Sequence, residues 1–360
     1  MTTELSEPAG EEPIALEGST RSNLVRTAGR WFLGLLIVGA TIQPLSWLFS
    51  AYSWTADLFC HFREPGLAMS LVAMLAAARL GSRGMALGFV AIASLQAYGL
   101  TGYGGDPPVR PSSSNRTRPV RLLMANVLFE NRELQDLADL IEREQPDIVG
   151  LVEFTTECGE ALRSARSKYP FRSEVPTGAS GLALWFRNQP IALDRAEYPL
   201  EGRNPVIHAV FSHEDGPRHL WLVHPTSPLW RKFEPGNPEL AALARVVGSG
   251  TESRIVMGDF NSTDASAHFR AFVRATGLRD SRLGFGRQPS WPSMLHYRIA
   301  IDHAFVSSDL AVINRRLGPM IGSDHLPVLF EVAPAERPGV SSTTTRTSPS
   351  ATASQSIPSP

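Results

Sequence analysis

The sequence predicts an α/β fold: a four-layer α/β sandwich, two packed mixed sheets flanked by helices, preceded by about three transmembrane helices. Three observations predict it. Short strand-like apolar runs alternate with fewer amphipathic stretches between residues 120 and 333. Residues 31–105 hold long apolar runs with few charges. Polar, turn-rich stretches bound both regions.

Residues 1–30 read as a disordered segment, acidic first and then marked by Arg21, Arg26 and Arg30. From Trp31 to Ala56 no residue is charged, a run longer than the roughly 20 residues that span a bilayer. Pro44 lies inside it, as membrane helices tolerate. A second run, Pro65–Ala78, is shorter and ends at Arg79. A third, Gly84–Gly105, is uncharged, and its closing glycines signal an early helix end. The expected helices are 31–53, 65–80 and 84–102 within a membrane region of 31–105. The length of the first run, and the apolar runs behind it, argue for an anchor over a cleaved signal peptide. The lack of charge argues against a soluble bundle.

The middle run decides the topology. If it does not cross, there are two spans and the main domain is cytoplasmic, with Arg63, Arg79 and Arg83 outside. If it crosses, the arginines before Trp31 and the Arg79/Arg83 hairpin are both cytoplasmic, and the main domain lies outside. The positive-inside tendency favours the second reading. The expectation is a multi-pass integral membrane protein with an extracytoplasmic main domain.

Residues 106–119 read as a linker, and residues 334–360, rich in Ser, Thr and Pro, as a disordered tail. Between them lies one domain, 120–333. Val120–Val127, Ile148–Val152, Gly181–Phe186, Ile191–Tyr198, Val206–Phe211, His219–Val223, Arg254–Met257, Ile301–Val306 and Pro327–Val332 read as strands. Arg132–Glu144, Pro238–Val247 and Ala265–Thr276 read as helices. The net charge of −1 argues against a strongly basic nucleic-acid-binding surface. Two cysteines, Cys60 and Cys158, define neither a disulfide framework nor a Cys-based metal site.

Polar residues recur just after the strand-like runs: Asn126, Glu153, His224, Asp259 and Asn261, with Asp324 and His325 just before the last one. Strand ends are where a sheet presents groups to a ligand. The mixture suits hydrolysis of a phosphate ester. An anionic ester repels nucleophiles, and a hard cation such as Mg²⁺ or Mn²⁺, bound by carboxylate and amide oxygens, screens that charge. Attack by water needs an orienting or deprotonating group and a charge stabiliser.

Met-Ala-Asn-Val (124–127), Gly-Leu-Val-Glu (150–153), Val-Met-Gly-Asp-Phe-Asn (256–261), Ile-Asp-His (301–303) and Gly-Ser-Asp-His-Leu-Pro-Val (322–328) together resemble the endonuclease/exonuclease/phosphatase superfamily. The resemblance runs from Val120 to Val332, and Gly-Asp-Phe-Asn with Ser-Asp-His-Leu-Pro is its most specific part. It implies a metal-dependent phosphodiesterase, nuclease or phosphatase. It assigns Glu153, Asn126 and Asp324 to the metal. It makes Asp259 the residue that orients or deprotonates water, and Asn261 a phosphate contact that positions Asp259. His325 would contact the scissile phosphate, Asp302 would orient His325, and His224 would be a second active-site histidine that also touches substrate. Ser290-Trp291-Pro292 is similar to a family segment beside the substrate, which makes Trp291 a substrate contact. Val152 stands where the family commonly has Gln, and the His224 segment is richer in proline than the pattern.

His303 is expected to be structural. His208, His213, His219, Trp221 and Trp230 are expected in packing or at the rim, and Arg187 and Arg298 as ordinary surface arginines. The substrate is open among DNA, RNA, phospholipid head groups and small phosphates. A nuclease is the leading alternative, and an inactive membrane-bound binding protein on the same fold is a further one. No obligate protein partner is evident.

Overall fold

The computed structural model describes residues 16–101, 109–112, 118–194, 197–200, 204–229 and 237–336. Trp230, the first fifteen residues, most of the expected linker and nearly all of the expected tail lie outside the described residues.

The first hundred residues are helical: α1 (Leu16–Phe49), α2 (Trp54–Phe59), α3 (Arg63–Arg79) and α4 (Arg83–Tyr98). Next come β1 (Val120–Asn126), α5 (Gln135–Glu144), β2 (Ile148–Val152), α6 (Thr156–Ala161), α7 (Arg163–Ser167), β3 (Phe171–Val175) and β4 (Leu182–Phe186). Then follow β5 (Ala192–Leu193), β6 (Glu197–Leu200), β7 (Asn204–His213), β8 (Gly216–Val223), α8 (Pro238–Val247) and β9 (Ser253–Asp259). The chain closes with α9 (Ala267–Thr276), β10 (Arg279–Asp280), β11 (Asp302–Val306), β12 (Leu310–Leu317) and β13 (Val328–Pro334).

Two mixed sheets form. One has the order β12-β13-β1-β2-β4-β3, the other β10-β11-β9-β8-β7-β5, with β6 also on β7. In each, a parallel pair sits at the centre, β1 with β2 and β8 with β9. Their strands are apolar on both faces, as centrally buried parallel strands must be. Met124, Leu184, Leu222 and Met257 meet between the sheets. Leu137, Leu140 and Ile141 of α5 cover the outer face of the first sheet. Leu243 of α8 and Phe269 and Phe272 of α9 cover the second. The layer order is therefore helix, sheet, sheet, helix, as expected.

The departures have local causes. β3 and β12 are edge strands with mixed polar composition, so no apolar run marks them. The expected strand Ile191–Tyr198 is broken into β5 and β6. Helix α1 starts at Leu16, inside the stretch read as disordered.

Length supports one span where three were expected. Only Thr27–Phe49 is long and apolar enough to cross a bilayer among the described helices. Helices α3 and α4 have 17 and 16 residues, so each reaches about 25 Å, short of the roughly 30 Å hydrocarbon core. Even so, α1, α3 and α4 pack together. Their contact is made of small residues, Ala40, Ala73 and Ala77, with Leu36 and Phe89. Inside it Ser70 Oγ donates to Gln96 Oε1 at 2.9 Å, and Gln96 Nε2 to Gln43 Oε1 at 3.2 Å. Leu35, Leu45, Leu75, Leu87 and Leu95 point outward and are exposed.

The turn region between α1 and α3 is seated on the segment that joins β9 to α9. Ser266 Oγ, the N-cap of α9, donates to Asp57 Oδ1 at 2.6 Å. The Ala267 amide donates to Ser50 Oγ at 3.1 Å. His61 Nδ1 lies 2.8 Å from Thr263 Oγ1, and Arg63 pairs with Asp264 at 2.7 Å. Trp54 Nε1 donates to the Pro228 carbonyl at 2.6 Å.

One buried ion pair braces the second sheet. Arg282 grips Asp280 through Nε and Nη2, the latter at 2.7 Å, and His303 Nδ1 lies 3.6 Å from the same carboxylate. Burial opposes charge on Asp280, but Arg282 and His303 outweigh it and hold the carboxyl far below its usual range. Asp280→Asn removes the carboxylate that Arg282 and His303 face in the buried interior and is expected to cost about 3 kcal/mol. A depressed carboxylate stabilises the fold above its unfolded value of about 4, and that contribution is lost as pH falls further. Chemical denaturation should thus show the full gap between the two proteins at pH 7 and a shrinking gap below pH ~4. A gap that is constant with pH would refute the ionic origin.

Candidate active site

The central strands of both sheets end on the same side, and their ends carry the polar residues singled out in the sequence. Asn126 ends β1 and Glu153 follows β2, its parallel neighbour. His224 follows β8 and Asp259 ends β9, the parallel pair of the other sheet. Asp302 starts β11 and faces Asp259 in register. Asp324 and His325 enter from the loop before β13. Two sheets packed face to face thus bring six strand-end positions to one place.

Local backbone shape serves the convergence. Gly258 has φ 155°, and a Cβ there would lie 1.8 Å from the Val223 carbonyl oxygen. Only glycine lets β8 and β9 approach this closely, which sets His224 beside Asp259. Glu153 and Asn261 adopt left-handed φ of 60° and 50°. Asn tolerates that region, but for Glu it is strained, and such strain gathers at functional sites.

Asp259 is the hub. Its Oδ2 lies 3.6 Å from His224 Nε2 and 3.7 Å from His325 Nε2, and its Oδ1 accepts from the Asn261 amide at 2.8 Å. Asn126 Nδ2 donates to Glu153 Oε1 at 2.9 Å and to Asp259 Oδ2 at 3.1 Å. The Asn126 oxygen accepts from the Leu128 amide at 2.9 Å. Asn126 therefore turns its NH₂, not its oxygen, toward the acids. Asn261 Nδ2 lies 3.1 Å from His224 Nε2 and donates to the Pro225 carbonyl at 3.0 Å. The prolines of the 224–228 segment thus shape the loop that holds Asn261.

His325 is held from behind. Its Nδ1 lies 2.8 Å from Asp302 Oδ2, which Ser290 Oγ also contacts. Trp291 Nε1 donates to Asp324 Oδ2 at 2.9 Å, and Asp324 Oδ1 lies 4.0 Å from His325 Nε2. Trp291 is thus a partner of Asp324, as well as part of the cavity wall.

Electrostatics follow from this geometry. Burial opposes charge on His325, but Asp302, Asp259 and Asp324 outweigh it and raise its pKa to about 10. Burial likewise opposes charge on Asp259, but His325, His224 and the Asn261 amide lower its pKa to about 2. His224 is raised above its ordinary value: Asp259 and Glu153 overcome burial and the like charge of His325. The resting site is an ionised carboxylate between two imidazoles that favour the charged form.

Two groups of side chains in this cluster could hold a metal ion, Glu153, His224 and Asp259, and Asp259, Asp302 and His325; a third group among the described residues, Asp57, Cys60 and His61, lies outside it. Asp324 belongs to none of these. Glu153 is the least buried member and fronts the cavity, so its carboxylate is the most accessible oxygen donor.

A cavity of about 720 Å³ opens over the cluster. Glu153, His224, Asp259, Asn261, Asp324 and His325 line it. Asn126 and Asp302 stand behind the wall, both buried. Sequence reasoning missed the opposite wall: Leu58, His61 and Phe62, from the α2–α3 region. No local signal marks them, because their place depends on how the helical region docks. His303 is fully buried, and its Nε2 donates to the Ser262 carbonyl at 2.9 Å. His208, His219 and Trp221 stack on one another on β7 and β8. Arg187 and Arg298 contact backbone carbonyls of Pro146 and Ser293. Cys60 and Cys158 are buried and unpaired.

No curated protein matches the chain at a significant level. Among solved structures, an endonuclease/exonuclease/phosphatase family protein from Bacteroides vulgatus is 17% identical, with 60% of this chain and 99% of that chain covered and a TM-score of 0.49. One from Leptotrichia buccalis is 17% identical, covering 59% and 99%, with a TM-score of 0.48. A humanized D. rerio TDP2 is 15% identical, covering 59% and 98%, also at 0.48. The Endonuclease/Exonuclease/phosphatase family pattern matches residues 125–325, more than half of the chain and the whole stretch from Asn126 to His325. By that match the chain belongs to the endonuclease/exonuclease/phosphatase family, hydrolases that act on phosphoester bonds.

Proposed function

We propose that the chain is a membrane-anchored, divalent-metal-dependent phosphoesterase that hydrolyses a phosphodiester or phosphomonoester by in-line attack of water. The observation that carries this reading is Asp259 Oδ2, set between two histidines and joined through Asn126 to Glu153. The carboxylate oxygens of Glu153, Asp259 and Asp324 at the cavity suit a hard cation, Mg²⁺ or Mn²⁺, better than a soft one. Glu153 would hold it, with Asp324, beside His325 in the same cavity, as a further carboxylate. When bound, such an ion supplies charge neutralisation and Lewis acidity at the phosphoryl oxygens.

The residues of the chain do the rest. Asp259 orients the attacking water. A carboxylate held at about 2 is a weak base, so orientation suits it better than deprotonation. His325 stays protonated at neutral pH and donates from Nε2 to a phosphoryl oxygen as charge builds there. Asp302 and Ser290 keep the ring in place. Asn261 and His224 contact the phosphate, and Asn126 keeps Glu153 and Asp259 from drifting apart.

The anchor reading rests on α1 and on the inverted packing of the helices. Small and polar residues lie inside while large apolar ones point out, which suits lipid and not water. Helices α3 and α4 form a hairpin beside α1, with Arg79 and Arg83 at its turn. Both arginines lie at the end far from Arg63, which touches the catalytic side. Arg21, Arg26 and Arg30 fall at the start of α1, also away from Ser50. By the positive-inside tendency the site faces the extracytoplasmic side.

The test is turnover by purified full-length chain on bis(p-nitrophenyl) phosphate and p-nitrophenyl phosphate with Mg²⁺ or Mn²⁺. Metal-dependent hydrolysis of either is expected. Absence of turnover on both, and on DNA, RNA and phospholipid panels, would overturn the enzyme reading.

A further inference from the structure

A second cavity, of about 710 Å³, lies at the seam between α1, α4 and α9. It shares none of the acid–histidine cluster. Its size is that of a small-ligand site, roughly 300–1,000 Å³. One side is apolar, with Trp47 from α1, Leu95 from α4 and Val273 from α9. The other carries Arg63, Arg270, Arg274 and Arg279.

The charges do not cancel. Arg63 is matched by Asp264 at 2.7 Å. Asp280 also borders the cavity, but Arg282 holds it. Arg270, Arg274 and Arg279 have no carboxylate within ion-pairing distance among the described residues. Arg270 lies over the Trp47 ring at 5.3 Å and donates to the Asp264 carbonyl. Arg279 donates to the Leu310 carbonyl, and its Nε is buried without a hydrogen-bond partner. Burial depresses both guanidinium groups, yet arginine stays charged.

Three guanidinium groups without a direct ion pair among the described residues, though Asp264 and Asp309 lie near enough to act on Arg270 and Arg279, therefore meet one apolar crease. The crease sits where α1 and α4 reach the catalytic side, and the exposed Tyr98 lines it. Tyrosine and tryptophan mark the head-group level of a bilayer. Basic pockets at that level suit anionic head groups. Guanidinium forks match phosphate oxygens.

We propose that this cavity binds one anionic phospholipid of the surrounding bilayer. Its phosphate rests on Arg270, Arg274 and Arg279, and an acyl chain lies against Trp47 and Leu95. The proposal rests on the reading that α1 crosses the bilayer. A bound lipid would brace α9 against α1 and α4, and the loop before α9 carries Thr263, the partner of His61 in the active-site wall.

The test is native mass spectrometry of the delipidated full chain in neutral detergent, titrated with phosphatidylglycerol, phosphatidylcholine or inorganic phosphate. One phosphatidylglycerol should be retained, with phosphatidylcholine at least about ten-fold weaker. Arg274→Gln, at an exposed position that should not disturb folding, should weaken phosphatidylglycerol by about ten-fold, and Arg274→Lys by less. Equal binding of the two lipids, or unchanged binding in Arg274→Gln and Arg270→Gln together, would overturn the proposal. So would displacement of the lipid by equimolar inorganic phosphate, which would mark a simple anion site. Release of the chain from membranes by alkaline carbonate would remove the anchor reading and this inference with it. A chain that stays in membranes but ignores head-group charge removes this inference alone.

Discussion

Asp259→Asn is expected to lower metal-dependent phosphoester turnover by about 10⁴-fold at saturating substrate, the upper end for loss of one positioned acid–base group. The amide keeps the size of the carboxylate but not its charge. It cannot accept from water while also balancing His224 and His325, whose ring nitrogens lie 3.6 and 3.7 Å from Oδ2. Raising the metal concentration should not rescue this variant, because the loss lies in the water-orienting group. Circular dichroism should show the fold retained, since active-site polar clusters are seldom needed for stability. A fall of less than about ten-fold would remove Asp259 from the chemistry.

Glu153→Gln is expected to behave differently. Here the loss is in metal affinity, by more than about a hundred-fold, above what outer-shell partners typically cost. Turnover at low Mg²⁺ should vanish, and high Mn²⁺ should restore part of it. The neighbouring groups predict this split: Glu153 fronts the cavity, whereas Asp259 is buried between the histidines. Calorimetric titration of Mn²⁺ into both variants reads the difference directly. Equal metal affinity in Glu153→Gln and the parent chain would take Glu153 out of the metal site.

Much of the central architecture was legible in sequence, for a physical reason. The central strands are apolar on both faces, so β2 stands out as an unbroken apolar run, and β1 nearly so. The polar residues at their ends contrast sharply with that background. Asn126, Glu153, His224 and Asp259 were therefore visible before any fold was known. The edge strands were less visible. β12 carries Arg315, which is buried because it reaches Ser281 Oγ at 2.8 Å and Gln288, contacts made only by the folded chain. The orientation of Asn126 was equally hidden, since it depends on the Leu128 amide taking the side-chain oxygen.

The helical third was the least legible in detail. Its apolar runs announced helices, but their lengths were set by the turns at Gly81 and Gly99, which leave α3 and α4 short. Nothing in the sequence of α2 announces that Leu58, His61 and Phe62 wall the active-site cavity. That placement comes from Asp57, His61 and Arg63 binding Ser266, Thr263 and Asp264 across more than 200 residues of chain.

The most direct test of the central claim is a single assay of full-length chain on bis(p-nitrophenyl) phosphate, run in Mg²⁺, after chelation, and after Mg²⁺ is returned, alongside Asp259→Asn. The geometry predicts turnover in Mg²⁺, none after chelation, full recovery on return, and none in the variant under any of the three conditions. Turnover that survives chelation, or that Asp259→Asn retains at the parent rate, would contradict it.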